Sequence, residues 1–561
     1  MKNVIQEYLK AIDNNFKTRI ATEHTYRADL QKLISTIENV NVINEPKRVA
    51  CGAPDFIITK GKIPLGYIEA KDIGKNLKSK EYKEQFSRYK KSLNNLIITD
   101  YLVFQRFLNG EKVAEIKIAE IEDNKIRSIV NNFGLLIDML KDFCSYRGQT
   151  IRSSSKLSKM MAGKAKLLSQ VIKNTIITDE KNNENSTLKG QMDAFRRILI
   201  HDITANEFAD IYAQTIAYGM FAARLHDPTL VDFSRQEAAS LIPKSNPFLR
   251  NLFQYIAGFD LDDRLVWIVD DLADIFRSTN VKELMKNFGK STQQTDPFIH
   301  FYETFLAEYD PKLRKSRGVW YTPEPIVNFI VRAVDDILKK EFGLKKGLAD
   351  TSKTTIELES DISDKRSKSG FRRYKKEVHR VQILDPATGT GTFLAEVVKQ
   401  IHKSFEGQQG IWSKYVEEHL IPRLNGFEIL MASYAMAHLK VELLLQETGY
   451  KPSSNKRLNI FLTNSLEEHH PDTGTLFASW LSTEANEANY IKRDTPVMCV
   501  IGNPPYSVSS SNKGEWIQFL LKDYKKDLNE RNIQPLSDDY IKFIRYGQHW
   551  VQYKKVISTM F

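Results

Sequence analysis

Apolar positions change their spacing along the chain, and these changes divide it into three parts. Helical spacing, which predicts helices, recurs in four stretches: 1–35, 125–145, 205–225 and 262–290. Short β-rich runs predict a hairpin over 54–70 and a further strand over 95–104. After residue 316, apolar strands alternate with helices, as in a doubly wound sheet. The pattern predicts an α/β multidomain protein with an all-α middle part and these boundaries: 1–130, 131–315 and 316–561.

One apolar strand, over 497–501, ends in an unusual turn. After Gly502 come Asn503, Pro504, Pro505 and Tyr506. The prolines fix φ and remove backbone donors, so the Asn503 side-chain oxygen and the Pro504 carbonyl are free to accept from one amine. Tyr506 adds a flat face beside them. This equipment suits a planar base with an exocyclic amino group, although Asn-Pro-Pro is also typical of a plain turn.

A second apolar strand, over 381–384, ends at Asp385. Gly389 and Gly391 then allow a tight turn and the close approach of a ligand. A helix follows from Phe393. Ligands of doubly wound sheets bind at this strand-to-helix edge. The spacing is not the GxGxxG of a nicotinamide-binding fold.

Together these stretches resemble the DNA adenine amino-methyltransferases. The resemblance implies a Rossmann-like domain that transfers a methyl group from S-adenosylmethionine to the 6-amino group of a flipped adenine. It implies catalytic roles for Asn503, Pro504, Pro505 and Tyr506. It implies that Glu428 contacts the ribose of the cofactor and that Asn464 contacts its adenine ring. The full set of residues implied to contact the cofactor is Tyr321, Thr322, Pro323, Asp385, Pro386, Ala387, Gly389, Gly391, Phe393, Glu428 and Asn464. Thr322 is predicted as a helix N-cap and Pro323 as the first helical residue.

The hairpin predicted near the N-terminus carries charged residues on one face. Glu69 and Lys71 lie two apart on a strand and so share a face, and Asp55 begins the partner strand. Two carboxylates offer Mg²⁺ its preferred oxygen ligands, and the metal with a lysine can promote phosphodiester cleavage. A solvated strand face with a salt bridge is the alternative. Gln85 and Tyr89 share one face of the next predicted helix.

This arrangement resembles the PD-(D/E)xK nuclease fold, in the branch that carries a Gln-x-x-x-Tyr motif. The resemblance implies Asp55, Glu69 and Lys71 as the catalytic set, with Asp55 and Glu69 as metal ligands. It implies accessory roles for Gln85 and Tyr89. Glu23, on the first predicted helix, matches more loosely the position of a further acidic residue in that fold.

The net charge of the chain and the basic residues of its middle part indicate which kind of partner it binds. The chain has 81 Lys+Arg against 70 Asp+Glu, a net charge of +11, which suits a polyanion such as double-stranded DNA. The basic run 147–173 either tracks a DNA backbone or is a solvated linker or helix face, and His201 is interpreted as structural. No GxxxxGK[ST] loop of a motor occurs. The whole arrangement resembles type IIG restriction-modification enzymes, close to the type ISP group.

The cysteine spacing, the N-terminus and the length of the apolar runs argue against zinc-binding, secreted and membrane-spanning proteins. The three cysteines form no CxxC pair and so suggest no zinc site or disulfide framework, which fits a reduced cytoplasm. The N-terminus lacks the apolar core of a signal peptide. No run approaches the roughly 20 apolar residues of a membrane span.

The last residues of the sequence set an expectation for the C-terminal domain. Residues 539–543 resemble the next methyltransferase motif, and the chain stops at Phe561. We therefore expect an incomplete catalytic sheet and no target-recognition domain, unless a separate chain supplies them. The polar tract 345–380 is predicted as a loop or hairpin insertion. Two alternatives stay open: a methyltransferase with an inactive nuclease, and a non-catalytic remnant that binds DNA or cofactor.

Overall fold

The computed structural model describes most of the chain. The described residues are 2–38, 40–44, 54–60, 63–146, 151, 153–226, 233–242, 249–251, 253–254, 261–279, 297–310, 322–363, 371–454, 456–467, 476–496, 499–506, 510, 512–553 and 559–560. The α-helices are α1 Lys2–Lys17, α2 Glu23–Ile37, α3 Lys83–Ser92, α4 Phe133–Cys144, α5 Ser154–Lys181, α6 Thr187–Ile198, α7 Ala205–His226, α8 Arg235–Leu241, α9 Asp263–Arg277, α10 Pro297–Tyr309, α11 Glu324–Lys340, α12 Thr392–Lys403, α13 Trp412–Tyr415, α14 Met431–Glu447, α15 Leu476–Asp494, α16 Glu515–Lys525 and α17 Asp539–Tyr553.

The strands form two large sheets and two hairpins. They are β1 Asn41–Asn44, β2 Phe56–Lys60, β3 Ile63–Ala70, β4 Asn95–Thr99, β5 Val103–Leu108, β6 Glu111–Lys117, β7 Ala119–Glu122, β8 Lys125–Ser128, β9 Lys353–Ser363, β10 Phe371–His379, β11 Ile383–Asp385, β12 Leu424–Glu428, β13 Asn459–Leu462, β14 Cys499–Val500 and β15 Thr559–Met560.

The N-terminal sheet contains the predicted hairpin. Its six strands lie in the order β1-β2-β3-β4-β5-β6, and β2 pairs antiparallel with β3. Only β3 and β4 are parallel, with α3 as the crossover between them. Side chains alternate between the faces: Ile58 and Ile68 pack against α1, α2 and α4, whereas Ile57 and Tyr67 face the middle helices.

Two predicted helices differ from the structure. The stretch 1–35 forms two helices, α1 and α2, instead of one. The stretch 125–145 begins as β8, and α4 starts only at Phe133. The reason is the turn between β7 and β8, where Asp123 and Asn124 have φ of 49° and 57°. Two consecutive residues with positive φ are the mark of a type I′ hairpin turn, a local signal that helical spacing alone overlooks.

The middle helices join both sheets in one core. A single apolar cluster contains Tyr67 of β3, Trp267 of α9 and Ile383 of β11. The rings of Tyr67 and Trp267 meet edge to face with centroids 5.7 Å apart. At the other end, the Tyr302 hydroxyl lies 3.2 Å from the Ser433 hydroxyl of α14. This shared packing fixes the two sheets relative to each other.

The basic run 147–173 is mostly a packed helix. From Ser154 onward it forms α5, and Lys164 on α5 is only 1% exposed and pairs with Asp271 of α9. The interpretation of this part as a solvated linker is therefore wrong, because α5 packs between α7, α9 and α10. The alternative of a solvated helix face holds for Lys159 and Lys166, which are exposed. Arg147 and Arg152 lie outside the described residues.

We expect Lys164→Ala to lower the free energy of unfolding by about 3–5 kcal/mol, because it leaves the Asp271 carboxylate buried without its cation. Urea unfolding followed by circular dichroism measures this. The double variant Lys164→Met/Asp271→Leu removes both charges and should recover most of the loss. Equal loss in the single and double variants would contradict the ion-pair explanation.

The C-terminal sheet is parallel and doubly wound. Its order is β13-β12-β11-β14-β15, with parallel pairing throughout. The fifth strand, Thr559–Met560, follows the strand that precedes Asn503. The sheet is therefore more complete by this one strand than the expected incomplete sheet. The predicted insertion in 345–380 contains the β9–β10 hairpin. Within the part of the chain that the structure describes, no helix is long and apolar enough to cross a membrane.

Candidate functional site

The glycine loop connects β11 to α12 and leaves open space above it. Gly389 and Gly391 have φ of +56° and +80°, in the left-handed region that favours glycine. A Cβ built at Gly389 would meet nothing within 4 Å, whereas one at Gly391 would come within 3.2 Å of Ala437 on α14. Gly391 thus allows the helices to pack closely, and Gly389 leaves room for a ligand.

Two buried carboxyl groups lie at the ends of β11 and β12. Asp385 is 1% exposed, and burial raises its pKa to about 8. Its Oδ1 accepts from the backbone N–H of Ala387, and its Oδ2 has no hydrogen-bond partner among the described residues. A Cβ at Gly502 would come within 2.7 Å of Asp385 Oδ1, so the glycine before Asn503 is needed for this contact.

The Glu428 carboxylate is bound to the glycine loop. Its Oε2 accepts from the N–H of Gly389 at 2.7 Å, and its Oε1 accepts from the N–H groups of Ile429 and Leu430 at 2.9 and 2.8 Å. Burial raises the pKa of Glu428 to about 7, against the opposing effect of these donors. Because a carboxylate offers about four acceptor positions, room remains for a ligand hydroxyl.

A cavity of about 530 Å³ lies over these groups. Predicted cofactor contacts that line it are Thr322, Pro386, Ala387, Gly389, Phe393, Glu428 and Asn464. Asp385 and Gly391 lie beneath the loop and are not part of the lining. Pro323 is exposed and is also not part of it. Tyr321 lies outside the described residues. The volume is that of a typical small-molecule site.

Asn503 and Pro505 of the Asn-Pro-Pro-Tyr turn line the same cavity, and Pro504 is half-buried beside them. The Asn503 Nδ2 donates to Thr322 Oγ1 at 3.0 Å, which directs the Oδ1 away from Thr322. The Tyr506 hydroxyl donates to Asn503 Oδ1 at 3.4 Å. Tyr506 is 49% exposed and its ring stacks on Tyr540, with centroids 5.1 Å apart.

The position of Thr322 corrects one prediction. The helix begins at Glu324, with Pro323 as the cap residue rather than the first helical residue, and Thr322 provides no cap. Instead the Thr322 hydroxyl accepts from Asn503, 181 residues away. Local sequence patterns describe caps but not such distant partners, so only the fold reveals this contact.

At the end of β13, Asn464 is held by its neighbours. Its Nδ2 donates to Glu467 Oε1 and to Asn512 Oδ1, both at 3.0 Å. The ammonium of Lys492 donates to the Asn464 carbonyl at 2.7 Å, and burial lowers the pKa of Lys492 to about 7. These contacts hold Asn464 in the wall of the cavity.

The middle helices also contribute to the cavity, which the sequence did not indicate. Residues 199–203, between α6 and α7, line it. His201 Nε2 lies 3.1 Å from Glu467 Oε1, so His201, interpreted as structural, is at the cavity wall. Burial raises the pKa of Glu467, and His201 opposes this. No motif marks this segment, because its role depends on packing between distant parts of the chain.

A second cluster lies on the N-terminal sheet. Glu69 is 2% exposed, and its Oε1 accepts from Lys71 Nζ at 2.7 Å and from Gln85 Nε2 at 2.8 Å. Tyr89 is fully buried on the same helix as Gln85, and burial, followed by the charge of Glu69, raises its pKa. Glu69, Lys71, Gln85 and Tyr89 are thus brought together by β3 and α3.

Asp55 lies beside this cluster with an unpredicted partner. Its Oδ1 accepts from Arg27 on α2 at 2.5 Å, and its Oδ2 accepts from the Ala70 N–H at 2.7 Å. Arg27 and Asp55 are 1% and 3% exposed. No sequence motif marks Arg27 as part of this site. Glu23 begins α2, but its side chain lies outside the described residues.

The donor set suits Mg²⁺ only in part. Mg²⁺ keeps several waters and is often bound through one or two carboxylates, so Asp55 and Glu69 would suffice. Among the described residues, no group of three or more His, Cys, Asp and Glu is placed to hold a metal. Arg27 occupies one face of Asp55, where a cation would otherwise bind.

Comparisons with known proteins agree with this architecture. No protein-family model matches the chain. The chain is 23% identical over 325 residues to a protein of Methanocaldococcus jannaschii that carries the provisional name of a type II restriction enzyme and methyltransferase. The match covers 53% of this chain, and the chain spans 27% of the length of that relative. In sequence, the chain is thus a homologue of a restriction-modification enzyme.

Solved structures show the fold. The ATP-dependent type ISP restriction-modification enzyme LlaBIII bound to DNA is 18% identical, with a TM-score of 0.50. That match covers 75% of this chain and 25% of that chain. It supports a mixed α/β multidomain fold like that of restriction-modification enzymes. The match to a DrdV–DNA complex, 21% identical, covers 98% of this chain and 49% of that chain, with a TM-score of 0.43.

Proposed function

We propose that the C-terminal part of the chain is an adenine-specific DNA methyltransferase that uses S-adenosylmethionine. The observation that carries this proposal is the place of Asn503: its side chain is oriented by Thr322 at the wall of the cavity that lies over the glycine loop. A ligand in that cavity and an amine at Asn503 would be neighbours. The alternative of a plain turn gives no reason for an Asn side chain fixed at a cavity wall.

The residues of this site have distinct tasks. Asn503 Oδ1 and the Pro504 carbonyl accept the two amino hydrogens of adenine, which keeps the nitrogen lone pair directed at the methyl donor. Tyr506 supplies a stacking face for the flipped base. Gly389 leaves space for the cofactor, and Glu428 accepts from its hydroxyl groups. S-adenosylmethionine supplies an electrophilic methyl group when it is bound.

The direct test is methyl transfer to duplex DNA. The full chain is incubated with S-adenosylmethionine carrying a labelled methyl group, and the nucleosides are identified by mass spectrometry. We expect label in N6-methyladenine and none in cytosine. Label in cytosine, or in protein or RNA but not DNA, would contradict the proposal.

We further propose that the N-terminal part is a Mg²⁺-dependent DNA endonuclease, and that the two activities serve restriction-modification. Support comes from the cluster of Glu69, Lys71 and Gln85 beside Asp55, on a sheet with one parallel crossover. Asp55 and Glu69 would hold the metal, Lys71 would stabilise the charge on the cleaved phosphodiester, and Gln85 orients Glu69. The partner of both parts is double-stranded DNA.

A second candidate is a methyltransferase whose N-terminal part binds DNA without cutting it. One observation favours it: the Arg27 guanidinium lies 2.5 Å from Asp55 Oδ1, in a buried pair. A cation already bound to Asp55 competes with a metal. Cleavage assays with and without Mg²⁺ separate the two candidates, since this one predicts no cleavage by the natural chain.

We expect the affinity for S-adenosylmethionine to rise with pH. Because the pKa of Glu428 is raised to about 7, the carboxyl is largely protonated at pH 6 and ionised at pH 8, and only the ionised form is a full acceptor. The affinity should increase by up to about tenfold over this range, with release of a proton on binding. Titration calorimetry in two buffers measures both. Glu428→Gln should bind more weakly and without this pH dependence; an unchanged dependence would exclude Glu428 as its origin.

A further inference from the structure

A basic groove on the N-terminal sheet is not explained by the two sites described above. It has a volume of about 960 Å³ and lies between α3, the β5–β6 hairpin and α5. Five lysines from the N-terminal part line it: Lys78, Lys83, Lys90, Lys91 and Lys112. Lys159 and Lys166 on α5 line the opposite wall. The only lining carboxylates in the described part are Glu111 and Glu308.

The positive charge of the groove is only partly neutralised. Lys159 lies 3.8 Å from Glu308 Oε1, and Lys112 pairs with Glu115. Within the described residues, the structure gives no ion pair to Lys78, Lys83 or Lys91. Burial, followed by the charge of Lys112, lowers the pKa of Lys90. Seven lysines and two glutamates line the groove, so a bound anion would lower its electrostatic free energy.

The groove borders the Glu69 cluster. Helix α3 separates them, with Gln85 on the Glu69 side and Lys83 and Lys90 in the groove. Phe86 lines the groove, and its ring centroid lies 6.0 Å from the ammonium of Lys71. Phe86 thus belongs both to the lining of the groove and to the surroundings of Lys71.

We propose that this groove binds the phosphodiester backbone of duplex DNA and leads it to the Glu69 cluster. The inference rests on the proposed function. The lining favours a backbone over a small ligand, because it is dominated by lysines, which contact phosphates as point charges. A nucleotide site would need convergent apolar and aromatic contacts, and the aromatic rings lining the groove are Phe86 and Phe107, the latter covered by Lys90 at 4.1 Å.

The test compares two triple variants of the full chain. The groove variant is Lys78→Glu/Lys83→Glu/Lys91→Glu. The control, Lys10→Glu/Lys32→Glu/Lys125→Glu, has the same net charge and changes exposed lysines on or beside α1 and α2, which cover the other face of the sheet. Binding of a fluorescent duplex is followed by anisotropy in EDTA as salt is varied. Unchanged binding of S-adenosylmethionine shows that each variant is folded.

We expect the groove variant to bind the duplex at least about tenfold more weakly, with a slope of log affinity against log salt reduced by about three. The control variant should bind the duplex with nearly the same affinity and salt dependence as the natural chain. If the groove variant does not fold, the Lys→Gln set at the same positions should show the same effect at smaller size.

The other outcomes are distinct. If the natural chain binds duplex DNA and the groove variant binds it equally well, or the control weakens it equally, the groove assignment is wrong and the proposed function stands. If the natural chain binds no duplex at low salt, both the groove assignment and the proposed function are wrong. If inorganic triphosphate binds the natural chain and only that binding is lost in the groove variant, the groove is a small polyphosphate site and the DNA assignment is wrong.

Discussion

Asn503→Ala is expected to reduce methyl transfer to adenine by about 10²–10³-fold, the cost of removing one preorganised polar group from a transition state. The side chain lies at the cavity wall with its Nδ2 held by Thr322. In the proposed function, its Oδ1 accepts from an amine whose hydrogens become more acidic as the methyl bond forms. The affinity for S-adenosylmethionine should change little, because the glycine loop and Glu428 are intact.

Two further variants sharpen this test. Asn532→Ala, an exposed asparagine between α16 and α17, serves as the matched control and should be neutral. Thr322→Val removes the hydroxyl that orients Asn503 and should give a smaller loss, mainly in kcat. Single-turnover methylation of duplex DNA measures the rate of transfer. Full activity of Asn503→Ala would remove the catalytic role from this turn.

Lys71→Ala is expected to reduce Mg²⁺-dependent DNA cleavage by about 10²–10³-fold. The Lys71 ammonium lies 2.7 Å from Glu69 Oε1. Loss of this cation removes charge stabilisation from the cleaved phosphodiester. Methyl transfer should be unaffected, since Lys71 belongs to the other sheet.

The control for this prediction is Lys75→Ala. Lys75 is an exposed lysine on the turn that follows β3. Nicking of supercoiled plasmid with and without Mg²⁺ is the measurement. Cleavage that persists in Lys71→Ala would exclude this cluster as its origin. Absence of cleavage even in the natural chain would favour the second candidate, in which Arg27 takes the place of a metal at Asp55.

Local motifs were sufficient to predict parts of both sites. Gly389 and the Asn503–Tyr506 turn follow parallel strands, and the ends of parallel strands meet at one sheet edge, so their convergence follows from the pattern. Glu69 and Lys71 lie two apart on one strand, and Gln85 lies on the crossover helix that packs on it. The assignment of roles to these residues stays a prediction, as do the domain boundaries.

Some differences from the predicted elements have a local signal in the sequence. The turn at Asp123 and Asn124 has the residue types that adopt positive φ, and it converts the start of a predicted helix into β8. Similarly, Ser153 caps α5 by accepting from the Lys156 N–H, which marks a helix start inside the basic run.

The sequence by itself determined the doubly wound C-terminal sheet, the N-terminal hairpin and the residues that gather at their edges, because each depends on neighbours within a few positions. Only the tertiary structure decided that Arg27 binds Asp55, that Thr322 orients Asn503, that residues 199–203 line the cavity over the glycine loop and that Lys164 is buried. These contacts join residues separated by 28 to more than 180 positions. They arise from the packing of the middle helices and terminal segments against the sheets, and hydrophobic periodicity encodes which face is buried but not what it meets.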